Sequence, residues 1–418
     1  MSKRNFLLSL FLVLAGLLTT AGTASANPGS IVFVKKHNVW LANADGSGQY
    51  QVTDDGTYES PWGSPSQAND GTIAASHLDR IVRLRQNGEV LNTINPPPLV
   101  NSVSHLVDGV PVDVAISPNG KLIAWSFVSY ECPIGASCGA RPVTGYTAAD
   151  RLTDPAIHGS TFFSEPSWVG NGRTLQSGGY GSQINIHDLG AGYPEHWFDD
   201  SDYAENDTDL ADADLSPDGK RLAAIRGYGS STHVIWYRVA GNALAGPAPA
   251  VPEAQCVTGE LEGLSGPSWS PDSESLVWEE PDGIWLKSNP DTCDSPQPRL
   301  LIAGGSEPEW GPAAVNPGPR NPGISIKAPK EKLKLALKRG LKFKVKAAVP
   351  GRIQANVHQN RTRVATGSTT AKKAGWTVVT ARFTARAKKK LAQTRTVRLK
   401  AKITVGGMTR GISFTLRK

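Results

Sequence analysis

The chain has 418 residues, with 44 Lys and Arg against 37 Asp and Glu for a formal net charge of +7. Four cysteines allow three pairings, and past residue 26 no stretch is apolar enough to cross a bilayer as a helix. The total charge hides a division: residues 27–312 hold 15 basic and 36 acidic side chains, residues 313–418 hold 27 basic side chains and only Glu331. A region of net −21 is joined to one of net +26.

In chain order, residues 1–26 read as a signal peptide. Lys3 and Arg4 precede an apolar run over 6–18, and Ala24-Ser25-Ala26 supplies the small residues of a cleavage site. The mature chain is therefore expected outside the cytoplasm, secreted or associated with the cell envelope. An oxidising compartment suits the cysteines, and sequence neighbours are the favoured pairs: Cys132 with Cys138, and Cys256 with Cys293. No CxxC spacing points to a metal site instead.

Between residues 31 and 312 one phrase recurs. ISPNGKLIAW begins at Ile116, LSPDGKRLAAI at Leu215 and WSPDSESLVW at Trp269, with looser copies at Trp62, Trp168 and Trp310. The spacings of 54, 52, 47, 54 and 41 residues are those of propeller blades. Proline followed by Asp or Asn and Gly is turn chemistry, placed here between the first and second strand of each blade. Residues 31–34, 38–43 and 49–53 give three strands without a first, and 307–310 gives a first strand without the others. Together they complete one blade from both ends and close a ring of six.

Three residues before each repeat position stand Glu59, Asp113, Glu165, Asp212, Gly266 and Glu307, five of them acidic. Two readings of this set stand. A ring of carboxylates at the channel mouth would receive a cationic peptide or a hard cation such as calcium, although no cofactor is otherwise indicated. Alternatively, each acid would accept a hydrogen bond from the backbone of the neighbouring blade. The acidic stretch 199–214 lacks the order of a calcium-binding loop and reads as an inter-blade loop. A GxSxG match at Gly135–Gly139 sits in a cysteine-bounded loop without the strand and helix a nucleophile elbow requires, so it is a chance match.

The phrases NVWLANADGSG (38–48) and LSPDGKRLAAI (215–225) resemble the repeat of TolB-like, WD-type β-propellers of exported bacterial proteins. The resemblance covers about residues 31–312. It implies a six-bladed scaffold that binds a protein or peptide at the mouth of its channel. The chain departs from TolB in lacking a small α/β domain ahead of the propeller and in carrying a basic module after it. His37, His77 and His233 fall on loops where some propeller lyases hold a metal, so a metal-dependent, polysaccharide-active enzyme is the rival reading.

Residues 313–323 crowd Pro and Gly and read as a linker. Beyond it, alternating apolar and polar positions predict half-buried strands in GLKFKVKAAV, GRIQANV, WTVVTARF, TVRLKAKITV and GISFTLRK, with a short helix over ARAKKKLAQ. About seven strands over 324–418 suit an immunoglobulin-like sandwich, a module that resembles the basic C-terminal domains of exported actinobacterial proteins. Lys342, Lys344 and Lys346 on one strand face, with Lys388, Lys389 and Lys390, are the candidate contacts to anionic cell-wall polymer or headgroups; nucleic acid is not expected. The expectation is thus an all-β, non-catalytic binding protein: an acidic propeller followed by a basic sandwich.

Overall fold

The structure is a computed structural model. It describes residues 29–135, 137–151, 158–179, 183–199, 209–318, 325–347, 351–360, 362–373, 375–405 and 408–418. The signal peptide, most of the acidic stretch 199–214 and Ala136 of the GxSxG match lie outside these residues.

Six four-stranded antiparallel sheets follow one another as blades. The inner strands of blades 1 to 5 are Trp62–Gln67, Val112–Ile116, Ser164–Val169, Leu210–Leu215 and Ser265–Trp269. Blade 6 is assembled from both ends of the region, as the strand inventory predicts. Its inner strand Ser306–Gly311 pairs with Ser30–Lys35, in the register Ser30↔Gly311 and Ile31↔Trp310, and Asn38–Asn43 and Tyr50–Gln51 complete the sheet.

The recurring turn has two tasks. In LSPDG, Ser216 Oγ donates to Asp218 Oδ1 (2.7 Å) while accepting from Arg221 N, which fixes the reversal into the second strand. The turns also touch their neighbours: Asn119 N donates to Asn171 Oδ1 (2.8 Å), and Asp218 N donates to Ser273 Oγ (3.1 Å). One face of the ring is thereby tied from blade to blade.

Each blade has two apolar faces and buries both only by stacking. Five of the six joints are apolar clusters, such as Ile31, Phe33, Ile284 and Ile302 between blades 5 and 6. The joint between blades 2 and 3 is different. Tyr146 Oη lies 2.9 Å from both Thr174 Oγ1 and His187 Nδ1, and Gln176 donates to the same hydroxyl while accepting from Thr161 (2.7 Å). All five side chains are buried.

Blade 2 also carries the longest hairpin of the ring. Leu122–Glu131 pairs along its whole length with Gly139–Ala148, and the Cys132–Cys138 disulfide closes the tip. The second disulfide, Cys256–Cys293, joins the outer strand of blade 4 to a loop of blade 5. Both expected pairings are present.

The basic region forms a second all-β unit with its own core. Seven strands make one sheet in the order 325–327, 341–347, 375–383, 362–371, 351–359, 396–405 and 408–417. The sheet curls on itself, bringing Phe343 and Phe414 edge to face across the interior with centroids 5.6 Å apart. Helix α2 (Ala385–Ala392) lies where the sequence suggests, with Thr384 accepting from Ala387 N as its N-cap. Helix α1 (Leu333–Arg339) is not among the sequence expectations, nor are the strands 325–327 and 362–371.

Candidate functional site

The channel is lined by the inner strands, and its cavity measures about 1130 Å³. Every inner strand contains a β-bulge at the same place. The register slips at 63/66, 112/115, 164/167, 211/214 and 265/268, and again where Ser306–Gly311 meets its partner. The first bulged residue is left-handed in all six blades: Ser64 (φ 43°), Asp113 (51°), Glu165 (52°), Asp212 (51°), Gly266 (58°) and Glu307 (51°). For a residue with a Cβ this conformation costs about 1–2 kcal/mol, so something must offset it.

The compensation is a hydrogen bond to the next blade. Ser64 Oγ accepts from Asp113 N (3.1 Å), Asp113 Oδ2 from Glu165 N (3.3 Å), Glu165 Oε2 from Asp212 N (2.6 Å) and Asp212 Oδ2 from Gly266 N (2.5 Å). Gly266 has no side chain to continue the series, and Glu279 on the adjacent strand of blade 5 accepts from Glu307 N in its place (2.7 Å). Glu307 Oε2 then accepts from Ser64 N and closes the circle. Proline follows the first bulged residue in four blades (Pro65, Pro166, Pro267, Pro308), where a residue without an N–H leaves no donor unpaired.

A second tier runs one step deeper. Ser66 accepts from Ile116 N (2.9 Å), Asp214 from Trp269 N (3.0 Å) and Ser167 Oγ (2.8 Å), Ser268 from Trp310 N (2.9 Å), and Glu309 from Gln67 N (3.0 Å). The indoles join it, Trp168 Nε1 donating to Ala115 O (2.9 Å) and Trp269 Nε1 to Asp214 O (3.1 Å). Of the two readings of the acidic set, the inter-blade clasp is therefore the geometry present.

One member of the expected set is displaced. Glu59 is exposed in the loop before blade 1, where its carboxyl takes only the Thr57 hydroxyl (3.2 Å). Its place in the ring belongs to Ser64, because the blade-1 counterpart of Trp168 is Gln67 and not Trp62. Trp62 instead begins its strand, stacks on His77 at 4.3 Å and donates to Asp55 (3.0 Å). The phrases SPSQ, EPSW, GPSW and EPEW share a proline that marks the correct register.

Desolvation among the crowded inner strands drives the channel electrostatics, although the carboxyls are half-buried and Glu307 is exposed. It raises Glu165, Glu307 and Glu309 to about 7 and Asp214 to about 6, and pushes Asp113, Asp212 and Glu279 upward. Neighbouring carboxyls add to the effect, Asp113 on Glu165 and Glu165 on Asp212. Among the described residues lining the channel there is no Lys or Arg. Nor, among the described residues, do three or more His, Cys, Asp or Glu gather as metal ligands. His77 stacks on Trp62, and His233 Nδ1 lies 3.0 Å from Thr258 O.

Chain direction places the start of each inner strand, every connection into it and every turn between second and third strands on one face. That face carries exposed apolar residues: Tyr58, Leu78 and Val110 around the mouth, and Val128, Tyr130 and Ile134 on the blade-2 hairpin.

On the second unit every described Lys and Arg from 325 onward is exposed. Lys342, Lys344 and Lys346 share the outer face of one strand, whereas Lys388, Lys389 and Lys390 follow one another on α2. The one acid of this unit, Glu331, accepts from Lys342 N (2.9 Å).

No protein-family model matches the chain, and neither does any curated protein. Among solved structures it is similar to one from Agrobacterium tumefaciens assigned to TolB, at 14% identity and a TM-score of 0.42, covering 68% of this chain and 92% of the other. It is also similar to the β-propeller domain of Cps50 (Swd1) from Myceliophteria thermophila (12% identity, TM-score 0.37, 69% and 91% covered). A third is an oligogalacturonate lyase in complex with manganese (8% identity, TM-score 0.39, 84% of each chain).

Proposed function

We propose that this is an extracytoplasmic, non-catalytic binding scaffold. Its propeller takes a protein or peptide partner at the channel mouth, and its basic domain, read as an immunoglobulin-like sandwich, holds the molecule to anionic envelope material. The observation that carries the reading is the second unit's cation display: every described Lys and Arg from 325 onward is exposed, and residues 313–418 hold 27 Lys and Arg against the single acid Glu331. Clustered cations attract polyanions with a strength that falls as salt rises. For the propeller, the support is the apolar rim around an acidic channel. The ring acids are occupied by backbone amides, so partner contacts fall to the rim residues Tyr58, Leu78, Val110 and Tyr130 rather than to the ring itself.

The test is retention of the full chain on isolated cell wall across a salt series. Release at several hundred millimolar salt is expected, and retention indifferent to salt would remove the tether. Metal content and turnover of acidic polysaccharides are measured on the same preparation. Bound metal together with turnover would replace the scaffold reading by the lyase one.

A further inference from the structure

We infer that the outer face formed by strands 325–327, 341–347 and 375–383 is a binding shelf for an anionic polysaccharide, with Trp376 as its sugar-stacking platform. The inference rests on the tether reading above and specifies its ligand. Register places the participants in rows across the three strands. Lys327, Lys344 and Val378 form one row, and Ser325, Lys346 and Trp376 form the next. Lys342 and Thr380 form a third row on the last two strands.

Three features of these rows call for a ligand with both charge and a flat apolar surface. First, Lys327 and Lys344 are directly opposite each other on paired strands, an arrangement of like charges that costs stability. The domain offers no acid to relieve it, since Glu331 is its only one and is engaged with the backbone of Lys342. An external anion would. Second, Trp376 and Val378 are 49% and 47% exposed in the midst of the lysines, although tryptophan is among the side chains most worth burying. Lys327 Nζ sits over the Trp376 ring, 4.8 Å from its centre, which sets a cation on the indole while the residue stays half-exposed. Third, Lys327, Lys344, Trp376, Thr377 and Val378 enclose a depression of about 330 Å³, at the small end of the ~300–1,000 Å³ typical of ligand pockets.

A uronate chain matches this surface. The C–H face of a sugar ring packs on Trp376 and Val378, and its carboxylates meet Lys344 and Lys346, which lie on one strand face about 7 Å apart. Lys388, Lys389 and Lys390 lie on α2, not among these rows, and are not part of the shelf.

The experiment measures binding of the full chain to alginate, inorganic polyphosphate and oligothymidylate, with neutral dextran as the uncharged control. Alginate and polyphosphate are expected to bind in a salt-dependent manner, and dextran not to bind. Trp376→Ala should weaken alginate about tenfold, the order expected for one aromatic anchor, and leave polyphosphate unchanged. Trp376→Phe should retain most of the alginate affinity, which guards against misfolding as the cause. Lys344→Gln with Lys346→Gln should weaken both polyanions. If Trp376→Ala leaves alginate binding intact, the shelf is refuted while the anionic tether stands. If the double lysine variant weakens neither polyanion, the shelf is refuted from its charged side. Tighter, Trp376-dependent binding of oligothymidylate would make nucleic acid the ligand and overturn the proposal.

Discussion

The two halves of this chain carry nearly equal and opposite charge and dispose of it in opposite ways. The propeller turns its repeated carboxyls inward, onto the amides of neighbouring blades, so that acids serve as mortar. The second domain turns every described cation outward, with Glu331 as its one acid. Equal charge therefore predicts neither stability nor binding: an acid on a bulge amide is a structural part, while a lysine on an open sheet face is available to a ligand.

The largest effect should come from breaking the mortar where both chain ends meet. Deletion of Glu307–Pro312 removes the inner strand of blade 6 and the carboxyls that close both tiers. It should lower the propeller Tm by more than about 10 °C, since each kcal/mol is worth roughly 2–4 °C in a domain of this size. An unchanged melt would show that the ring is not closed in this way.

Next comes pH. Desolvation among the crowded inner strands pushes the half-buried Glu165 and Glu309 up to about 7 from an ordinary 4.5. A carboxyl raised on folding stabilises fully below its unfolded value and loses that contribution as pH rises through its folded one. The propeller should therefore be most stable near pH 4.5 and weaken up to and beyond pH 7, and Glu309→Gln should flatten the slope. The basic domain, with one acid, should show no such slope. A propeller Tm constant from pH 5 to 8 would contradict the desolvated-acid assignment.

Smaller, and a sharper contrast between the halves, is a pair of single changes. Asp214→Ala strands the Trp269 amide and the Ser167 hydroxyl and should cost about 1–3 kcal/mol in denaturant unfolding. Lys346→Ala should stay within about 0.5 kcal/mol of the parent, as surface substitutions do. Smallest is the test of register. Ser64→Ala should cost about 1 kcal/mol through the lost acceptor for Asp113 N, and Glu59→Ala almost nothing. The reverse order would restore Glu59 to the ring.

Blade number and closure were legible because proline, Asp or Asn and Gly recur in the turns and the strand count at the two ends is complementary. The ring was legible in four of its five acids. Glu59 was misplaced because tryptophan is the most conspicuous residue of the repeat, and blade 1 has its tryptophan five residues ahead of the equivalent position, Gln67. The proline after the bulge carries the better signal, for a physical reason: it occupies a site where an N–H would go unpaired. Glu279 lies on the second strand of its blade, outside the repeat position, and Asp214 and Glu309 stand one residue before that position in two blades only, so no repeated pattern announces them. In the second domain, KLKLALKR alternates like a strand yet forms α1, and TRVATGSTTA has too few large apolar residues to announce the strand it makes.

The hydroxyl, amide and imidazole groups meeting between blades 2 and 3 bear on which blades can pair. Greasy faces of similar size are interchangeable, and a propeller held only by them would accept a wrong neighbour, including one from another molecule, at small penalty. Tyr146, Gln176 and His187 find partners in a single arrangement, and any mispairing would bury them unsatisfied. This joint sets one pairing of blades apart from the others, which disfavours exchange of blades between copies.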